Sequence, residues 1–331
     1  MRIDKGFNLY VDVATACNAA CPFCIAPTVG RENGEGFLEG LAWALDFTQD
    51  CYGSVQVTGG EPTLSRRLPE VIRAVARRMF HRVVLNTNGS GIKEPGVVID
   101  LEAAGFTHVN LSRHHYIEER NQEVMRFNRA ADAADESFVR AVELVQRSGM
   151  MPRINCNLLR GYIDSVQEIE KFVLWCAGFG VFNVAFSETF PLDLLERNLP
   201  IVLGYAESHA VELAPVVADL DRRLEAVKEL PEYLSSMWGQ SQWISSFVVG
   251  GHRRFWNMPS GGRISVKTLA GWKADGSPKP PTYSKAADPE LQDGELYFAV
   301  VHPDGTVSAS WDKRERVLFA PQMATVELEE L

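Results

Sequence analysis

Three of the six cysteines of this 331-residue chain lie close together, in the segment ACNAACPFCIAPTVG at 16–30. Cys17, Cys21 and Cys24 have the spacing C-x3-C-x2-C, and thiolates are the usual ligands of iron–sulfur clusters. Three cysteines can hold three irons of a [4Fe–4S] cluster and leave the fourth iron open. The alternative is a zinc site, but such sites usually add a second pair of Cys or His, and here no histidine lies nearer than His81. The spacing favours one [4Fe–4S] cluster.

A second motif that could do chemistry is Gly59-Gly60-Glu61-Pro62, about 35 residues after the cysteines. Glycines let the backbone approach a ligand closely, and a carboxylate complements an ammonium group. By itself the motif is also a common turn. Its place directly after a predicted strand indicates a ligand site.

The elements that position these motifs alternate along the first 190 residues. Helical periodicity separates strand-like runs, and Asp164 is predicted to cap the last of these helices. This alternation predicts an α/β fold with a parallel sheet. The predicted strands are Phe7–Val13, Gly53–Thr58, Arg82–Asn86, Thr107–Ser112, Pro152–Leu159 and Phe182–Ser187.

The predicted strands have one apolar and one polar face. Asn8, Tyr10 and Asp12 alternate with apolar residues, and Gln56 and Arg153 do the same in later strands. Because helices cover the apolar face, the polar face would line the lumen of an open barrel that holds ligands. A sheet with one solvated face is the alternative.

The sequence CNAACPFC directly after the first strand resembles the signature of the radical S-adenosylmethionine (SAM) superfamily. The resemblance covers about 7–190 and is closest to the branch with the GTP cyclase of molybdenum-cofactor synthesis and related peptide- and metabolite-modifying enzymes. It implies a partial (β/α)6 TIM-like barrel with a [4Fe–4S] cluster on Cys17, Cys21 and Cys24. The open iron would chelate SAM, and one-electron reduction would cleave SAM to a 5′-deoxyadenosyl radical that abstracts hydrogen from the substrate.

The same resemblance implies further SAM contacts at the carboxyl ends of the strands. Gly59–Pro62 corresponds to the GGEP motif that holds the SAM amino group, and the segment 158–168 to a stretch near the adenine. The remaining implied contacts are Phe23, Asn86, Asn88, Ser112, Arg113, Asn155 and Asn157.

Catalytic and substrate residues are less defined by the sequence. His114, His115 and Tyr10 are candidates for catalysis, each with packing as the alternative. Cys156 could donate a hydrogen atom. It lies two residues after Ile154, however, and so on the same apolar face of the strand, which predicts a packing role. Substrate candidates are Asn8, Asp12, Gln56, Arg153, Arg263 and Lys267. The polar lumen suits a nucleoside, nucleotide or sugar, with a ribosomally made peptide as the alternative.

The region 191–331 is predicted to form a helical and β-hairpin extension that covers the barrel mouth. Its hairpin, VHPDGTVSASW, resembles the one that opens cysteine-rich domains in peptide-modifying relatives, with Ser308 and Ser310 where cysteines might stand. Cys51, Cys156 and Cys176 lack cluster spacing, so we predict no auxiliary cluster. Residues 312–314 are charged and could line a binding edge, although solvated surface is the alternative.

Composition excludes some classes of function. A net charge of −10 argues against a nucleic-acid partner, and no apolar run reaches membrane-spanning length. We expect a cytoplasmic protein whose cluster is reduced by a flavodoxin- or ferredoxin-type electron donor. A non-enzymatic iron–sulfur or zinc sensor is the alternative of a different class, and it would not need the GGEP motif.

Overall fold

Twelve strands form one sheet in the described part of the chain. The computed structural model describes residues 2–13, 16–24, 34–48, 54–78, 80, 82–189, 200–226, 253–258, 263–267, 295–310, 314 and 316–321. The strands are β1 (Arg2–Asp12), β2 (Ser54–Thr58), β3 (Arg82–Thr87), β4 (His108–Ser112), β5 (Met151–Leu158), β6 (Asn183–Glu188), β7 (Glu225–Ala226), β8 (Arg253–Asn257), β9 (Arg263–Lys267), β10 (Glu295–Val301), β11 (Val307–Ser308) and β12 (Val317–Phe319).

The helices follow the strands in alternation, as the sequence predicted. They are α1 (Phe37–Phe47), α2 (Leu68–Ala76), α3 (Pro95–Ala103), α4 (Glu118–Met125), α5 (Ala130–Ala133), α6 (Asp135–Arg147), α7 (Val166–Ala177), α8 (Pro200–His209) and α9 (Leu213–Arg223). A 3-10 turn spans Pro62–Leu64.

The strand order in the sheet is β12-β11-β10-β1-β2-β3-β4-β5-β6-β9-β8-β7. The strands from β10 through β9 are parallel to their neighbours, whereas β7, β8, β11 and β12 pair antiparallel at the two ends. Parallel strands place their carboxyl ends at one edge, where α/β folds build their sites. The cysteines and Gly59–Pro62 therefore lie at the same edge.

The two faces of the sheet differ as predicted. Alternate strand residues such as Leu9, Val57 and Ile154 are buried in the main hydrophobic core together with helix residues such as Val142 and Ile169. Full burial of such side chains contributes about 1.5–3 kcal/mol each to folding. The opposite face carries the polar residues.

The polar face is concave, which makes the sheet barrel-like. The hydroxyl of Tyr10 in β1 lies near enough to the guanidinium of Arg153 in β5 to act on its pKa. Four strand spacings in a flat sheet would separate these two strands by about 19 Å. The α/β fold is thus an open, TIM-like barrel with a polar lumen.

The predicted strands are confirmed to within one residue, except that β1 begins at Arg2 instead of Phe7. The N-cap of α7 was predicted one residue too early. Ser165 accepts a hydrogen bond from the Glu168 amide, whereas Asp164 accepts one from the Gly161 amide. Strand β8 was not among the predicted strands, because its pairing with β9 defines it.

The predicted C-terminal hairpin is present and joins the sheet directly. Strand β10 pairs in parallel with β1 and antiparallel with β11, across the turn His302–Gly305. Arg67 donates hydrogen bonds to the carbonyl oxygens of Pro303 and Gly34, at 2.6 and 2.9 Å. The turn is thereby held against the start of α1. Residues 312 and 313 lie outside the described part of the chain.

We expect Gly40→Ala to loosen this contact. A Cβ at position 40 would lie 1.9 Å from the carbonyl oxygen of Gly305, so α1 and the turn must separate. Overpacking of this kind costs about 1–3 kcal/mol in the free energy of unfolding, which urea denaturation measures. Gly96→Ala in α3 is the matched control, since nothing lies within 4 Å of its added Cβ. Equal stability of the two variants would contradict the proposed contact.

No helix in the described ranges is long and apolar enough to span a membrane.

Candidate active site

The three cysteines form a short loop after β1, at the carboxyl edge of the sheet. The Cys24 amide donates to the Cys21 carbonyl oxygen at 3.0 Å, which closes a turn between them. Burial raises the pKa of the Cys21 thiol, and the Cys24 and Cys17 thiols raise it further. The three thiols therefore lie within electrostatic range of one another.

The cysteine loop is fixed by the segment that follows α4. Ala19 and Phe127 form an isolated antiparallel bridge, and the Asn128 amide donates to the Asn18 carbonyl oxygen at 2.9 Å. Cys21 also packs against a small apolar cluster that contains Met125 and Phe127. The segment after α4 thus holds the cysteine loop through backbone hydrogen bonds and apolar contacts.

Polar side chains bind the cysteine loop to the loop after β3 and to α5. Asn18 donates to Ser90 Oγ and Asp132 Oδ2, both at 2.9 Å, and accepts from Asn88 Nδ2 at 2.9 Å. The Asp132 side chain has no exposed surface, and it also accepts from Lys93 and Arg129. Those hydrogen bonds outweigh burial and lower the pKa of Asp132. A buried carboxylate therefore holds the cysteine loop to the loop after β3.

The Gly59–Pro62 segment is joined to the cysteine loop. The Glu61 amide donates to the Ala16 carbonyl oxygen at 2.9 Å. Gly59 has a φ of 142°, a conformation that favours glycine. Within the described chain, no residue donates a hydrogen bond to the carbonyl oxygens of Gly59 or Gly60. These two oxygens remain available as acceptors.

The Glu61 carboxylate serves the protein itself. It is fully buried and accepts from the Thr63 amide and hydroxyl, the Thr87 hydroxyl and the Asn88 amide, at 3.1, 2.5, 2.5 and 2.6 Å. Burial raises its pKa, and these hydrogen bonds oppose that rise. The carboxylate joins the end of β2 to the end of β3.

Asn88 links the two motifs. Its Nδ2 lies 3.9 Å from the Sγ atom of Cys17, and its amide binds Glu61. Burial is the main cause that raises the pKa of the Cys17 thiol, and the nearby Glu61 carboxylate raises it further. One connected site is therefore formed by the three cysteines, the GGEP segment and the loop after β3.

The two predicted SAM contacts at the end of β4 lie on opposite faces of the sheet. Ser112 is half-buried on the polar face, whereas Arg113 is 1% exposed and binds Asp135. Its guanidinium carbon lies 5.3 and 5.0 Å from the ring centroids of Phe138 and Trp175, in the helical layer. The structure does not bring Arg113 to the lumen.

His114 and His115 are buried and bind backbone. His114 Nδ1 accepts from the Asn157 amide at 3.0 Å, and its ring lies edge-on to Phe23 with centroids 4.9 Å apart. His115 Nδ1 accepts from the Ile117 amide at 2.9 Å. Burial, aided by Arg113, lowers the pKa of His114 to about 3, and burial, aided by Arg120, lowers that of His115 to about 4. Both imidazoles are neutral at pH 7.

We expect the protein to lose stability as the pH falls from 6.5 towards 4. The unfolded chain binds protons on these histidines near pH 6.5, but the folded chain does so only near pH 3 to 4. Each histidine therefore contributes stability that is present above pH 6.5 and decreases by about 1.4 kcal/mol per pH unit below it. Urea unfolding at pH 7, 6 and 5 measures this slope.

His114→Gln should make that slope shallower, because glutamine retains an acceptor for the Asn157 amide but binds no proton. The native protein, unfolded under the same conditions, is the control. An unchanged slope in His114→Gln would contradict the assignment.

The lumen holds a network of polar side chains. Ser54 Oγ and Gln56 Nε2 donate to Asn8 Oδ1 at 2.6 and 3.2 Å. Asn110 Nδ2 donates to Asn86 Oδ1 at 2.7 Å. The predicted lumen residues of β1, β2 and β3 are thus brought together.

Further along the sheet, Arg153 Nε donates to Asn155 Oδ1 at 3.0 Å. The strand register places Arg263 of β9 opposite Asn183, and Lys267 opposite Ser187. Asp12 ends β1 and is 4% exposed, and Tyr10 is half-buried two residues before it. The predicted lumen residues of β5 and β1, and Arg263 of β9, therefore share the polar face with those of β2 and β3.

The other cysteines are structural where they are described. Cys156 and Cys176 are fully buried in the main core, and burial raises the pKa of both thiols. Ser308 Oγ donates to the Ser310 carbonyl oxygen at 2.7 Å and also contacts His302 Nε2 at 2.7 Å, inside the hairpin. Cys51 lies outside the described residues.

The donor atoms fit an iron–sulfur cluster and SAM. In the described chain, no three His, Cys, Asp or Glu side chains converge on one metal ion. A cluster needs no such convergence, because each cysteine binds a different iron. Binding to iron also offsets the raised thiol pKa values, since a coordinating thiol is deprotonated. The carbonyl oxygens of Gly59 and Gly60, which accept no hydrogen bond from the described residues, suit an ammonium group.

Sequence reasoning missed Asn18, Asp132 and Tyr205. The ring centroid of Tyr205 lies 6.4 Å from that of Phe23. Burial raises the pKa of Tyr205, and the nearby Cys21 thiol contributes to that rise. Asn18 stands inside the cysteine motif, which was the available signal. Asp132 and Tyr205 reach the site only through tertiary packing.

The family model described as Radical SAM superfamily matches residues 11–176. GTP 3′,8-cyclase of Paracoccus denitrificans is 27% identical over 196 residues, 56% of this chain and 52% of that protein. Probable GTP 3′,8-cyclase of Saccharolobus islandicus is 26% identical over 192 residues, 56% of this chain and 58% of that one. The chain therefore spans little more than half the length of these relatives.

Solved structures also resemble the chain. SuiB of Streptococcus suis bound to its precursor peptide SuiA has a TM-score of 0.47 and 17% identity, covering 72% of this chain and 56% of that one. Coproporphyrinogen III oxidase of Escherichia coli, a radical SAM enzyme, has a TM-score of 0.47 and 11% identity, covering 81% and 64%.

Proposed function

The chain belongs to the radical SAM superfamily, and we propose that it is a radical SAM enzyme that acts on a small polar metabolite held in the barrel lumen. Membership implies an iron–sulfur cluster and SAM. We further propose that the cluster is a single [4Fe–4S] cube on Cys17, Cys21 and Cys24. The contacts of Asn88 with the Cys17 thiol and with Glu61 carry this proposal, because they unite the cysteines and the GGEP segment.

The bound cluster and SAM would supply a 5′-deoxyadenosyl radical. The chain's own residues hold both groups and exclude water. The carbonyl oxygens of Gly59 and Gly60 accept from the SAM ammonium group, while the buried Glu61 carboxylate fixes the turn that carries them. Asn86, Asn88, Ser112, Asn155 and Asn157 contribute polar contacts, and Phe23, fixed by His114, shields the site.

The substrate is proposed to be a nucleoside, nucleotide or sugar. The lumen offers amide, hydroxyl and guanidinium groups, which suit a molecule rich in hydroxyl groups. The names of the related cyclases, which refer to a nucleotide, favour the same class. Asn8, Gln56 and Arg153 are the first residues proposed to contact it.

A ribosomally made peptide is the second candidate. The hairpin at His302–Gly305 favours it, because this hairpin resembles the one in peptide-modifying enzymes. The test is a precursor peptide encoded beside the gene. If the purified enzyme converts this peptide, the substrate is the peptide and not a metabolite.

The C-terminal extension and an electron donor complete the surroundings of the site. The extension 191–331 covers the barrel mouth, which the contact of Tyr205 with Phe23 supports. A flavodoxin- or ferredoxin-type protein reduces the cluster in the cytoplasm.

Electron paramagnetic resonance of the anaerobically reconstituted, reduced protein tests the SAM site. Iron and sulfide analysis of the same protein should give about four of each per chain. The resonance signal should change on addition of SAM, because SAM would bind the open iron. A signal that is insensitive to SAM would refute the assignment of Gly59–Pro62.

A further inference from the structure

We infer that Arg153 binds an anionic group of the substrate, a carboxylate or a phosphate, inside the barrel. The inference rests on the proposed function for the existence of a lumen substrate, and it narrows that substrate to an anion.

Most N–H donors of the Arg153 guanidinium form no hydrogen bond with the described residues. Its Nε atom donates to Asn155 Oδ1 at 3.0 Å. Among the residues that the structure describes, none accepts a hydrogen bond from its terminal Nη1 or Nη2 atoms. A guanidinium has five N–H donors in a planar fork, and most of this fork is left for a ligand.

Among the described residues, the charge of Arg153 has no carboxylate counter-ion. Burial lowers its pKa to about 10, and the Tyr10 hydroxyl is the other group that acts on it. No described carboxylate forms an ion pair with Arg153. Arg153 is half-buried, so its charge is only partly hydrated, and an anionic ligand would offset the cost of that burial.

A second guanidinium, that of Arg82, lies in the same part of the lumen as Arg153, although the chain carries a net charge of −10. Burial lowers the pKa of His108 to about 2, and Arg82 and Arg153 lower it further. His108 is therefore neutral between two guanidinium groups. Two guanidinium groups near one neutral imidazole favour an anionic ligand over a neutral one.

Neighbouring lumen residues are less available than Arg153. Asn8 accepts from Ser54 and Gln56, and Asn86 accepts from Asn110. Asn155 lies two residues closer to the carboxyl edge, about 7 Å along the strand. An anion on Arg153 would therefore sit below the cysteine edge, with the rest of the substrate directed towards it.

Thermal unfolding of the anaerobically reconstituted full chain tests the inference, with inorganic phosphate and acetate as probes at constant ionic strength. We expect the native midpoint to rise by about 4 °C at a probe concentration some twenty times its dissociation constant. Arg153→Gln should lose this response, and Arg153→Lys should keep a weaker one. Arg147→Gln, on the exposed face of α6, should respond like the native protein.

A larger response to phosphate than to acetate assigns the site to phosphate esters, and the reverse assigns it to carboxylates. No response in the native protein, or an equal one in Arg153→Gln, overturns the inference. Weaker SAM binding by Arg153→Gln also overturns it, because the guanidinium would then hold the SAM carboxylate. Failure of the native protein to cleave SAM, with an intact Arg153-dependent response, would reject the proposed function alone.

Discussion

Replacing Cys17, Cys21 or Cys24 by alanine is expected to lower 5′-deoxyadenosine formation at least about 100-fold, since loss of one ligand exceeds the effect of a supporting residue. Iron content should fall in parallel. The cluster-free fold should persist, because hydrogen bonds from Asn18 and Asn128 hold the loop without metal. Iron analysis, deoxyadenosine assays and circular dichroism of each variant measure these effects.

Cys176→Ala gives the reciprocal control. Cys176 is fully buried in the main core, so its loss should lower the free energy of unfolding by about 1–2 kcal/mol. Iron content should stay at the native level. A loop-cysteine variant that keeps its iron, or a Cys176 variant that loses it, would show that the cluster ligands are assigned wrongly.

Glu61→Gln is the second change with a large expected effect. Glutamine retains an oxygen for Thr63 and Thr87, but its NH2 group would face the Asn88 amide, which now donates at 2.6 Å. A buried donor without an acceptor costs about 1–3 kcal/mol in the free energy of unfolding. Because this bond aligns the GGEP turn with Asn88, SAM cleavage should also fall about 100-fold.

The control for Glu61 is Glu143→Gln, a half-exposed acid in α6, which should change stability by less than about 0.5 kcal/mol. Urea unfolding and the deoxyadenosine assay give both quantities. Stability and SAM cleavage at the native level in Glu61→Gln would mean that this carboxylate does not organise the site.

The fold was largely predictable because its signals are local. Alternation of Tyr10 and Asp12 with Leu9 and Val11 separates the lumen from the core, and this pattern follows from the geometry of a strand. Strand β8 was missed because pairing with β9 defines it. The division of the chain near residue 190 stays a prediction, and β9 and β10 join the sheet from beyond it.

The site was predictable where it follows the chain and less so where it depends on packing. The motif residues follow β1 and β2, so topology alone brings them to one edge. Arg113 follows Ser112 and turns to the helical layer, where Asp135 and two aromatic rings hold its charge. Such a choice between two faces depends on tertiary partners that a local pattern does not contain.

The most direct test of radical SAM chemistry in this chain is the formation of 5′-deoxyadenosine. The reconstituted protein is incubated anaerobically with SAM and dithionite, beside a variant in which Cys17, Cys21 and Cys24 are all alanine. We expect deoxyadenosine from the native protein and none from the variant. Equal amounts from both, or none from a native protein that holds iron and sulfide but binds no SAM, would contradict the proposed site.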